Sequence, residues 1–409
     1  MDRITRVRIK NVRAIEFIDL DVSSLTVLIG ENGSGKSTII ECLEILHKAA
    51  ETNFMQQLYD IHRGMPGLLR KGKSALELGV VIEDDAGQQP QIEYSFALAR
   101  QGAGAVVQSE LLLVGPMDNV EKPQTALRRT TSRVEGFNER GDSLVIGGGT
   151  RGIDPEQLTI SRFGAQPPHK AIERLLVVLH GIEVHLHFNT VAAWAARSYR
   201  LSLGMRESLL FQPAKRLHLL GFNLANAWSE LKNRSSEHWN ETMALVRLGI
   251  GEVSDSVNVD PDAGGGNIAV SLRLKGLNEP IPAANLSDGQ LSWLAFVAMA
   301  RLNENRSLLA IDEPELHLHP SLLGRVVSML TSLDSGAPVL LSTHSDRVLA
   351  LLDEPEEAVR VCSLEGNKAV VSRIDKAELP KWLESFGDLG QLRESGYLPR
   401  VLETPEVAE

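Results

Sequence analysis

The stretch LTVLIGENGSGKST, residues 25–38, decides the fold of this 409-residue chain. Its first five residues are a short apolar run, which is typical of a strand buried on both faces of a sheet. The residues that follow place Ile39, Leu43 and Leu46 on one stripe of a helix. Between strand and helix lies GENGSGKS, which matches G-x-x-x-x-G-K-[ST] in the structural context that this pattern requires. We therefore predict a phosphate-binding loop (P-loop) at residues 30–37.

The glycines of the P-loop let the backbone turn so that successive N–H groups point at a phosphate, and the following helix adds the positive end of its dipole. We expect Lys36 to neutralise the β and γ phosphates of a nucleotide and the Ser37 hydroxyl to ligate Mg²⁺. We assign nucleotide binding in this segment to Asn32, Gly33, Ser34, Gly35, Lys36, Ser37 and Thr38.

A second motif, SLLAIDEPELHLHP at residues 307–320, is an apolar strand that ends in two adjacent carboxylates. We expect Asp312 to hold the Mg²⁺ hydration shell. Glu313 is expected to accept a proton from an attacking water, a role worth about 10²- to 10⁴-fold in rate. An acidic cap on a strand end is the alternative. His317 and His319 are a weak indication of a metal site, and a loop near the nucleotide or an interface is favoured.

The segment LLSTHSD, residues 340–346, is a further apolar strand, and it delivers His344 at its carboxyl end, where parallel sheets bind their ligands. A lone histidine at a strand end is more often structural. Because His344 follows Lys36 and Glu313 in this order, we predict that it hydrogen-bonds the γ phosphate and senses its loss.

A second glycine-bearing helix start, LSDGQLSWLAFVAMA, occupies residues 286–300. A single nucleotide cannot easily rest on two distant helix starts of one subunit. LSDGQ resembles the signature of ABC-type ATPases, whose serine and glycine reach the γ phosphate held by the opposite subunit. The resemblance implies that Ser287, Gly289 and Gln290 act in trans, and Asp288 stands where transporters have glycine. An ordinary capped helix is the alternative.

Taken in order, the P-loop, the signature, the Asp312–Glu313 pair and His344 resemble the ABC-type ATPase head shared by the SMC, RecF and OLD (overcoming-lysogenisation-defect) families. IKNVRAIEF, residues 9–17, is similar to the start of those chains, where an arginine after an Asn–aromatic pair approaches the nucleotide. That role falls to Arg13, with Val12 in place of the aromatic residue. The resemblance covers about residues 1–115 and 265–375.

This resemblance implies an α/β fold, a P-loop NTPase of ABC ATPase type, with a mixed sheet, an antiparallel N-terminal meander and a largely helical insertion. Three apolar segments between 75 and 114 indicate the meander, polar and glycine-rich residues from 115 to 168 indicate loops, and 169–250 has a helical period. We divide the chain into an N-terminal lobe (1–115), a mostly helical insertion or lid (116–264), a C-terminal lobe (265–395) and a tail (396–409).

Within that group the chain is most similar to stand-alone bacterial ATPases of antiphage or toxin–antitoxin modules. OLD nucleases continue into a metal-dependent TOPRIM domain, whereas only about 60 residues follow His344 here, with no acidic metal cluster among them. Any nuclease or toxic activity would then belong to a separate effector protein. The glutamine that couples nucleotide to the neighbouring lobe is not assigned, with Gln57 and Gln108 as candidates.

Composition limits the partners and the compartment. The formal net charge is −11, which argues against a surface devoted to nucleic acid. The insertion nevertheless contains two basic stretches, which leave DNA contact open beside simple solvation: Arg128, Arg129, Arg133 and Arg140, then Arg197, Arg200, Arg206, Lys215 and Arg216. Two distant cysteines and the absence of a long apolar run predict a cytoplasmic protein without a membrane partner.

These patterns predict an ATP hydrolase that works as a homodimer or higher homo-oligomer with ATP and Mg²⁺, and that controls a partner effector in genome defence. A DNA-repair ATPase of the RecF type, which clamps DNA, is the close alternative. A transporter motor is disfavoured because the insertion is long and nothing resembles a membrane-coupling surface. A non-hydrolysing scaffold is disfavoured by the intact Glu313.

Overall fold

A computed structural model describes residues 2–102, 104–115, 122–148, 153–163, 167–199, 201–261, 264–303, 305–316, 318–333 and 335–403. The strands are β1 Asp2–Val12, β2 Ile15–Asp21, β3 Leu25–Gly30, β4 Ala75–Asp84, β5 Ile92–Gln101, β6 Gly104–Val114, β7 Gln124–Arg129, β8 Arg133–Phe137, β9 Ser143–Gly148, β10 Ile182–His185, β11 Leu209–Leu210, β12 Ser254–Pro261, β13 Asn267–Leu274, β14 Ile281–Pro282, β15 Leu308–Asp312, β16 Val339–Thr343, β17 Val359–Glu365 and β18 Lys368–Arg373.

The α-helices are α1 Lys36–Lys48, α2 Phe54–His62, α3 Lys170–His180, α4 Ala193–Tyr199, α5 Leu224–Lys232, α6 Ser236–Ile250, α7 Asp288–Leu302, α8 Pro320–Thr331, α9 Asp346–Leu349, α10 Pro355–Ala358, α11 Leu379–Phe386 and α12 Leu389–Glu394. Single turns of 3-10 helix lie at Met65–Gly67, Ile160–Arg162, Gly204–Arg206, Ala283–Asn285 and Leu398–Val401.

A six-stranded sheet positions the predicted site, with strand order β10-β15-β16-β3-β17-β18. Strands β10, β15, β16, β3 and β17 are parallel, and β18 is antiparallel at the edge. The three motif strands are neighbours, since β16 lies between β15 and β3. The carboxyl ends of parallel strands meet at one edge of a sheet, so the three motifs are brought together there.

Residues of β3 alternate between two hydrophobic clusters, one on each face of this sheet. Leu28 packs in a cluster with Ile39 and Leu43 of α1, and Val27 and Ile29 pack in the other. This is the burial pattern expected of a parallel strand covered by helices on both sides. The continuous apolar run at the start of the P-loop motif is therefore accounted for, and the α/β fold class is confirmed.

Helix α7, which follows the signature, is buried deeply on the second face. Trp293 is fully buried, and its indole N–H donates to the Leu245 carbonyl of α6 at 3.0 Å. A Cβ on Gly249 of α6 would overlap the indole ring, so glycine lets the two helices approach closely. The second turn of the signature helix, at Trp293, is thus fixed against α6, while its first turn reaches the surface.

The second sheet is antiparallel, with eight strands in the order β2-β1-β4-β5-β6-β7-β8-β9. The predicted pairing of the first two strands and the meander of β4, β5 and β6 are confirmed. The expectation of loops from 115 to 168 is wrong for β7, β8 and β9, which extend the meander. These strands have only five or six residues each, and β8 and β9 contain glycines, so their strand signal is weak in the sequence.

The segment from 169 to 250 contains α3, α4, α5 and α6, as its helical period predicts. It also contains β10, which joins the parallel sheet beside β15. Strands β11, β12, β13 and β14 form a third, small sheet. The described part of residues 116–264 is therefore more mixed than the expected helical insertion, and it contributes strands to all three sheets.

A buried ionic cluster fixes β10 to α7. Glu183 accepts from Arg306 Nε at 2.7 Å, from Asn303 Nδ2 at 2.7 Å and from His185 Nε2 at 2.8 Å. Arg306 also donates to the Met299 carbonyl of α7. Burial opposes ionisation of Glu183, but the Arg306 charge and the His185 hydrogen bond outweigh it and hold the pKa of this carboxyl well below its usual range.

Candidate functional site

The P-loop turns directly after β3, with positive φ at Gly33 (79°) and Gly35 (101°). Gly30 pairs with Cys362 of β17, and a Cβ on Gly30 would overlap the Cys362 carbonyl. Glycine is therefore required where the loop crosses the neighbouring strand. The glycine pattern that identifies the loop in the sequence has a direct steric cause.

The first turn of α1 is available to an anion. Its N-cap, Gly35, provides no side-chain cap, and the first turn contains no acidic residue. The Ser34 hydroxyl is buried and has no hydrogen-bond partner in the described part of the chain. Uncapped amides at a helix N-terminus and a buried hydroxyl without a partner suit a phosphate group.

Lys36 is buried, with 4% of its surface exposed. Its Nζ donates to the carbonyls of Gly30 at 2.8 Å and Glu31 at 3.1 Å. Burial lowers the pKa of this amino group, and the nearby groups that oppose the effect include the carboxylates of Glu313 and Asp312. The predicted phosphate ligand therefore lies within electrostatic reach of the acidic motif.

The structure brings Asp312 beside the P-loop. The Ser37 hydroxyl donates to Asp312 Oδ1 at 3.3 Å, across 275 residues of sequence. Ser342, on the neighbouring strand β16, also donates to Asp312 Oδ1. The side chain of Asp312 is thus oriented by one hydroxyl from the P-loop and one from the adjacent strand.

Ser37 and Asp312 offer a hydroxyl and a carboxylate, which are the hard oxygen ligands that Mg²⁺ prefers when nucleotide phosphates and water complete its shell. The described residues contain no cluster of three or more acidic, histidine or cysteine side chains suited to a metal. Two protein oxygens beside a phosphate site fit a Mg²⁺ ion whose other ligands would be nucleotide phosphates and water. The ion would supply positive charge that polarises the phosphates.

Glu313 has a left-handed backbone, with φ 50°. Its N–H lies 3.0 Å from the Ser342 carbonyl and 3.2 Å from the Ser342 hydroxyl, so it donates to both oxygens. This conformation costs about 1 to 3 kcal/mol for a residue with a side chain, and it persists only where the surroundings impose it. Ser342 therefore contacts the carboxylate of Asp312 and holds the main chain of Glu313.

His344 follows β16, and its Nε2 lies 3.5 Å from Glu313 Oε1. Both side chains are about one third exposed. The main-chain N–H of His344 donates to Glu315 Oε1 at 2.7 Å, and the Thr343 hydroxyl donates to the same oxygen at 2.8 Å. The predicted base and the predicted γ-phosphate sensor are thus adjacent and open to a ligand.

Arg13 lies at the second turn of α1 rather than in the P-loop itself. It has φ 46°, its Nη2 donates to Glu41 Oε1 at 2.8 Å, and its Nε donates to the Gly67 carbonyl at 3.2 Å. Its side chain is 44% exposed. The expected contact of Arg13 with nucleotide stays a prediction.

The signature begins α7 with a capping box. Ser287 Oγ accepts from the Gln290 N–H at 3.2 Å, and the Gln290 side chain accepts from the Ser287 N–H at 3.0 Å. Ser287 is exposed, and Gly289 is half-buried in the first turn. The two interpretations of this segment, an ordinary capped helix and a signature, are therefore compatible, because the capping box leaves Ser287 exposed at the surface.

Two arginines at the site were not identified from the sequence. Arg206 is buried and donates to Asp288 Oδ1 at 2.7 Å and to the Leu286 carbonyl at 2.6 Å, so it balances the aspartate that replaces glycine in the signature. Arg393 of α12 donates to Asp346 Oδ1 at 2.9 Å and to the His344 carbonyl at 3.3 Å. Neither lies in a motif, and their partners are distant in sequence.

The basic stretches are partly internal. Arg129 is buried and donates to the carbonyls of Gln157 and Asp154, and Arg216 contacts His47 of α1. Together with Arg206, these arginines stabilise the fold and are not free for a DNA surface. Arg200 lies outside the described residues.

The remaining sequence candidates lie apart from these contacts. His319 caps α8 by accepting from the Ser321 N–H, and His317 lies outside the described residues. Gln57 donates to Asn53, one turn earlier in the chain, and Gln108 is exposed on β6. The coupling glutamine therefore stays unassigned.

Comparisons with solved structures concern the fold. The head of an SMC protein bound to the C-terminal winged-helix domain of ScpA matches with a TM-score of 0.52 at 12% identity, covering 92% of this chain and 99% of that one. The SMC head domain from Thermotoga maritima matches with a TM-score of 0.42 at 13% identity, covering 91% and 99%. The first match agrees with the predicted ABC-type ATPase head.

Comparisons with known sequences concern the family. The Old nuclease of Escherichia phage P2 is 42% identical over 60 residues, so the match spans 14% of this chain and only 10% of the length of that nuclease. The predicted resemblance to the SMC and OLD group is confirmed by this match together with the first SMC head. A family model matches residues 25–350, which include the P-loop, the signature, both carboxylates and His344. The chain therefore belongs to the family of AAA ATPase domains described as "AAA domain, putative AbiEii toxin, Type IV TA system".

Proposed function

We propose that this protein hydrolyses ATP to ADP and phosphate as a homodimer in which two nucleotides are sandwiched between the P-loop of one subunit and the signature of the other. Residues 1–115 and 265–395 form the two lobes of each ATPase head, 116–264 is the insertion and 396–409 is the tail. The observation that carries the proposal is the convergence of the P-loop, Asp312, Glu313 and His344 at one sheet edge.

In the proposed reaction Lys36 and the α1 amides bind the β and γ phosphates, and Ser37 and Asp312 hold Mg²⁺. Glu313 accepts a proton from water, the water oxygen bonds to the γ phosphorus, and the bond from that phosphorus to the β–γ bridging oxygen breaks as ADP leaves. His344 hydrogen-bonds the γ phosphate beside Glu313. The left-handed backbone of Glu313 supports its proposed role as the base, because backbone strain of this kind clusters at active sites.

The dimer is supported by the signature. Ser287 is exposed, and its described side-chain hydrogen bonds are confined to Gln290 of its own helix turn. A γ phosphate from a second subunit would meet the Ser287 hydroxyl and the amides that begin α7. Arg206 limits the repulsion between such a phosphate and Asp288, because it neutralises that carboxylate.

The output of the cycle is proposed to be the opening and closing of the dimer, which controls a separate effector, a nuclease or a toxin, in antiphage defence. The family description names a toxin and a Type IV toxin–antitoxin system, and the short sequence match is to a phage nuclease. The RecF-like alternative, a DNA-clamping ATPase, has less support, because Arg129, Arg206 and Arg216 make internal contacts.

The test is the solution mass of Glu313→Gln with and without ATP and Mg²⁺. This variant keeps the shape of the side chain and removes the base, so turnover should fall by about 10²- to 10⁴-fold and the ATP-bound dimer should accumulate. Ser287→Arg in the Glu313→Gln background is the control, since it should bind nucleotide and remain monomeric. If Glu313→Gln remains as monomeric in ATP and Mg²⁺ as the control does, the sandwiched dimer is contradicted. A DNA-bound species that forms in the presence of ATP and is sensitive to salt would favour the repair function.

A further inference from the structure

Glu315 connects the loops that carry Glu313 and His344. It lies two residues after Glu313, and its Oε1 reaches the end of the next strand, β16. That one oxygen accepts from the Thr343 hydroxyl at 2.8 Å and from the His344 main-chain N–H at 2.7 Å. The other oxygen, Oε2, is buried and has no hydrogen-bond partner in the described part of the chain.

The turn after β16 is organised around this oxygen. The Thr343 hydroxyl, which donates to Glu315, accepts in turn from the Ser345 N–H at 3.0 Å. The next helix, α9, has only four residues, and its N-cap Ser345 makes no side-chain cap. The main chain of His344 is therefore held at two atoms. Glu315 accepts from its N–H, and Arg393 donates to its carbonyl at 3.3 Å.

The loop that carries Glu313 and the loop that carries His344 are joined by two sets of hydrogen bonds, one made by Ser342 and one made by Glu315. Ser342 orients Asp312 and the Glu313 backbone from the β16 side. Glu315 orients His344 from the β15 side. Together these contacts hold the main chain at the two residues whose side chains approach each other, with His344 Nε2 3.5 Å from Glu313 Oε1. Loss of the second contact would leave the base in place and release the histidine.

We infer that Glu315 is a positioning residue for hydrolysis, which holds the His344 main chain so that the imidazole stays beside Glu313. The inference rests on the proposed ATP hydrolysis at that site. Glu315 does not contact the reacting atoms in this role, because its accepting oxygen is directed at Thr343 and His344. Its effect should be larger on kcat than on the affinity for nucleotide, because Lys36 and the α1 amides, which bind the phosphates in the proposed reaction, make no hydrogen bond to Glu315 within the described residues.

The experiment compares Glu315→Ala, Glu315→Gln and Thr343→Val with the wild type in two measurements. The first is kcat and KM for ATP. Glu315→Ala should lower kcat about 10- to 100-fold with a much smaller change in KM, as expected when a group at the reaction site moves by about 1 Å. Glu315→Gln keeps an acceptor oxygen and should restore kcat to within about twofold of the wild type. Thr343→Val removes one of the two donors to Glu315, together with the acceptor for the Ser345 N–H, and should give an intermediate kcat.

The second measurement is amide hydrogen exchange of the peptide containing residues 339–346, which is independent of turnover. Glu315→Ala should raise exchange in that peptide, and Glu315→Gln should retain the wild-type protection. If Glu315→Ala does not fold, Thr343→Val, which deletes one hydroxyl and retains the carboxylate, provides both readouts.

Three results overturn the inference: a wild-type kcat in Glu315→Ala, a loss of kcat in Glu315→Gln as large as in Glu315→Ala, or unchanged exchange at residues 339–346. A wild-type protein that does not hydrolyse ATP refutes the proposed function instead. The exchange measurement then decides alone whether Glu315 holds the His344 main chain.

Discussion

Acidification should weaken the attachment of the P-loop helix to its neighbours through His47. This side chain of α1 is 2% exposed. Its Nδ1 lies 3.0 Å from the Leu179 carbonyl, and its Nε2 lies 2.8 Å from Arg216 Nη2. A carbonyl only accepts and a guanidinium only donates, so the neutral imidazole with its proton on Nδ1 satisfies both partners. A second proton, on Nε2, would face the Arg216 charge.

Burial, followed by the positive charge of Arg216, lowers the pKa of His47 from 6.5 to about 4. The unfolded chain therefore takes up the proton first as the pH falls, and folding stability is lost from about pH 6.5 down to about pH 4. At about 1.4 kcal/mol for each pH unit, the complete loss is about 3 kcal/mol. About 2 kcal/mol of it falls between pH 7.5 and pH 5.

The assay is urea unfolding of the wild type and of His47→Gln near pH 7.5 and near pH 5. The glutamine variant does not titrate at this position, so the wild type should lose about 2 kcal/mol more on acidification than the variant does. Glu44, whose pKa is raised by burial, is present in both proteins, so its contribution cancels in the comparison. An equal loss of stability in the two proteins would refute the assignment of His47 as a buried neutral histidine.

Two further predictions concern close contacts. Glu183→Ala should lower the free energy of unfolding, measured in urea, by about 3 to 5 kcal/mol, because it leaves the buried Arg306 charge without its partner. The double variant Glu183→Leu with Arg306→Met should recover most of that loss. A double variant no more stable than Glu183→Ala would contradict the explanation. Gly30→Ala should weaken nucleotide binding about tenfold or more in a fluorescent-nucleotide titration, since its Cβ would overlap the Cys362 carbonyl and the loop must shift. Gly87→Ala, which also has positive φ but lies in open space, is the control, and equal affinity in both variants would exclude the steric cause.

The sequence predicted the site elements that follow one another along short segments. The P-loop, the Asp312–Glu313 pair and His344 each come at the end of an apolar run, and a run of β-branched and leucine residues is a strong local signal for a buried strand. Because parallel strands end at the same sheet edge, predicting the strands was sufficient to predict that these motifs meet.

Contacts between segments were not predictable in this way. Arg206 and Asp288 are 82 residues apart, and Arg393 and the His344 carbonyl are 49 residues apart. An arginine in a polar stretch resembles a solvated charge, and so the sequence leaves both DNA contact and simple solvation open for Arg206, which the fold buries. Strands β7 to β9 were missed for a different reason, because each has only five or six residues and β8 and β9 contain glycines, which are typical of turns and depleted in strands.

At position 313 the proposed chemistry and the backbone favour different residues, because the chemistry requires a carboxylate and the backbone conformation favours glycine. Its left-handed conformation disfavours any residue with a Cβ, and glycine would adopt it without strain. Substitution of Glu313 by glycine would therefore remove the proposed base and relax the backbone in one step. Inactive molecules of this kind would be as abundant as active ones in a cell. A screen that measures only protein abundance would therefore not distinguish Glu313→Gly from the wild type. A screen that measures ATP turnover would distinguish them and select the glutamate.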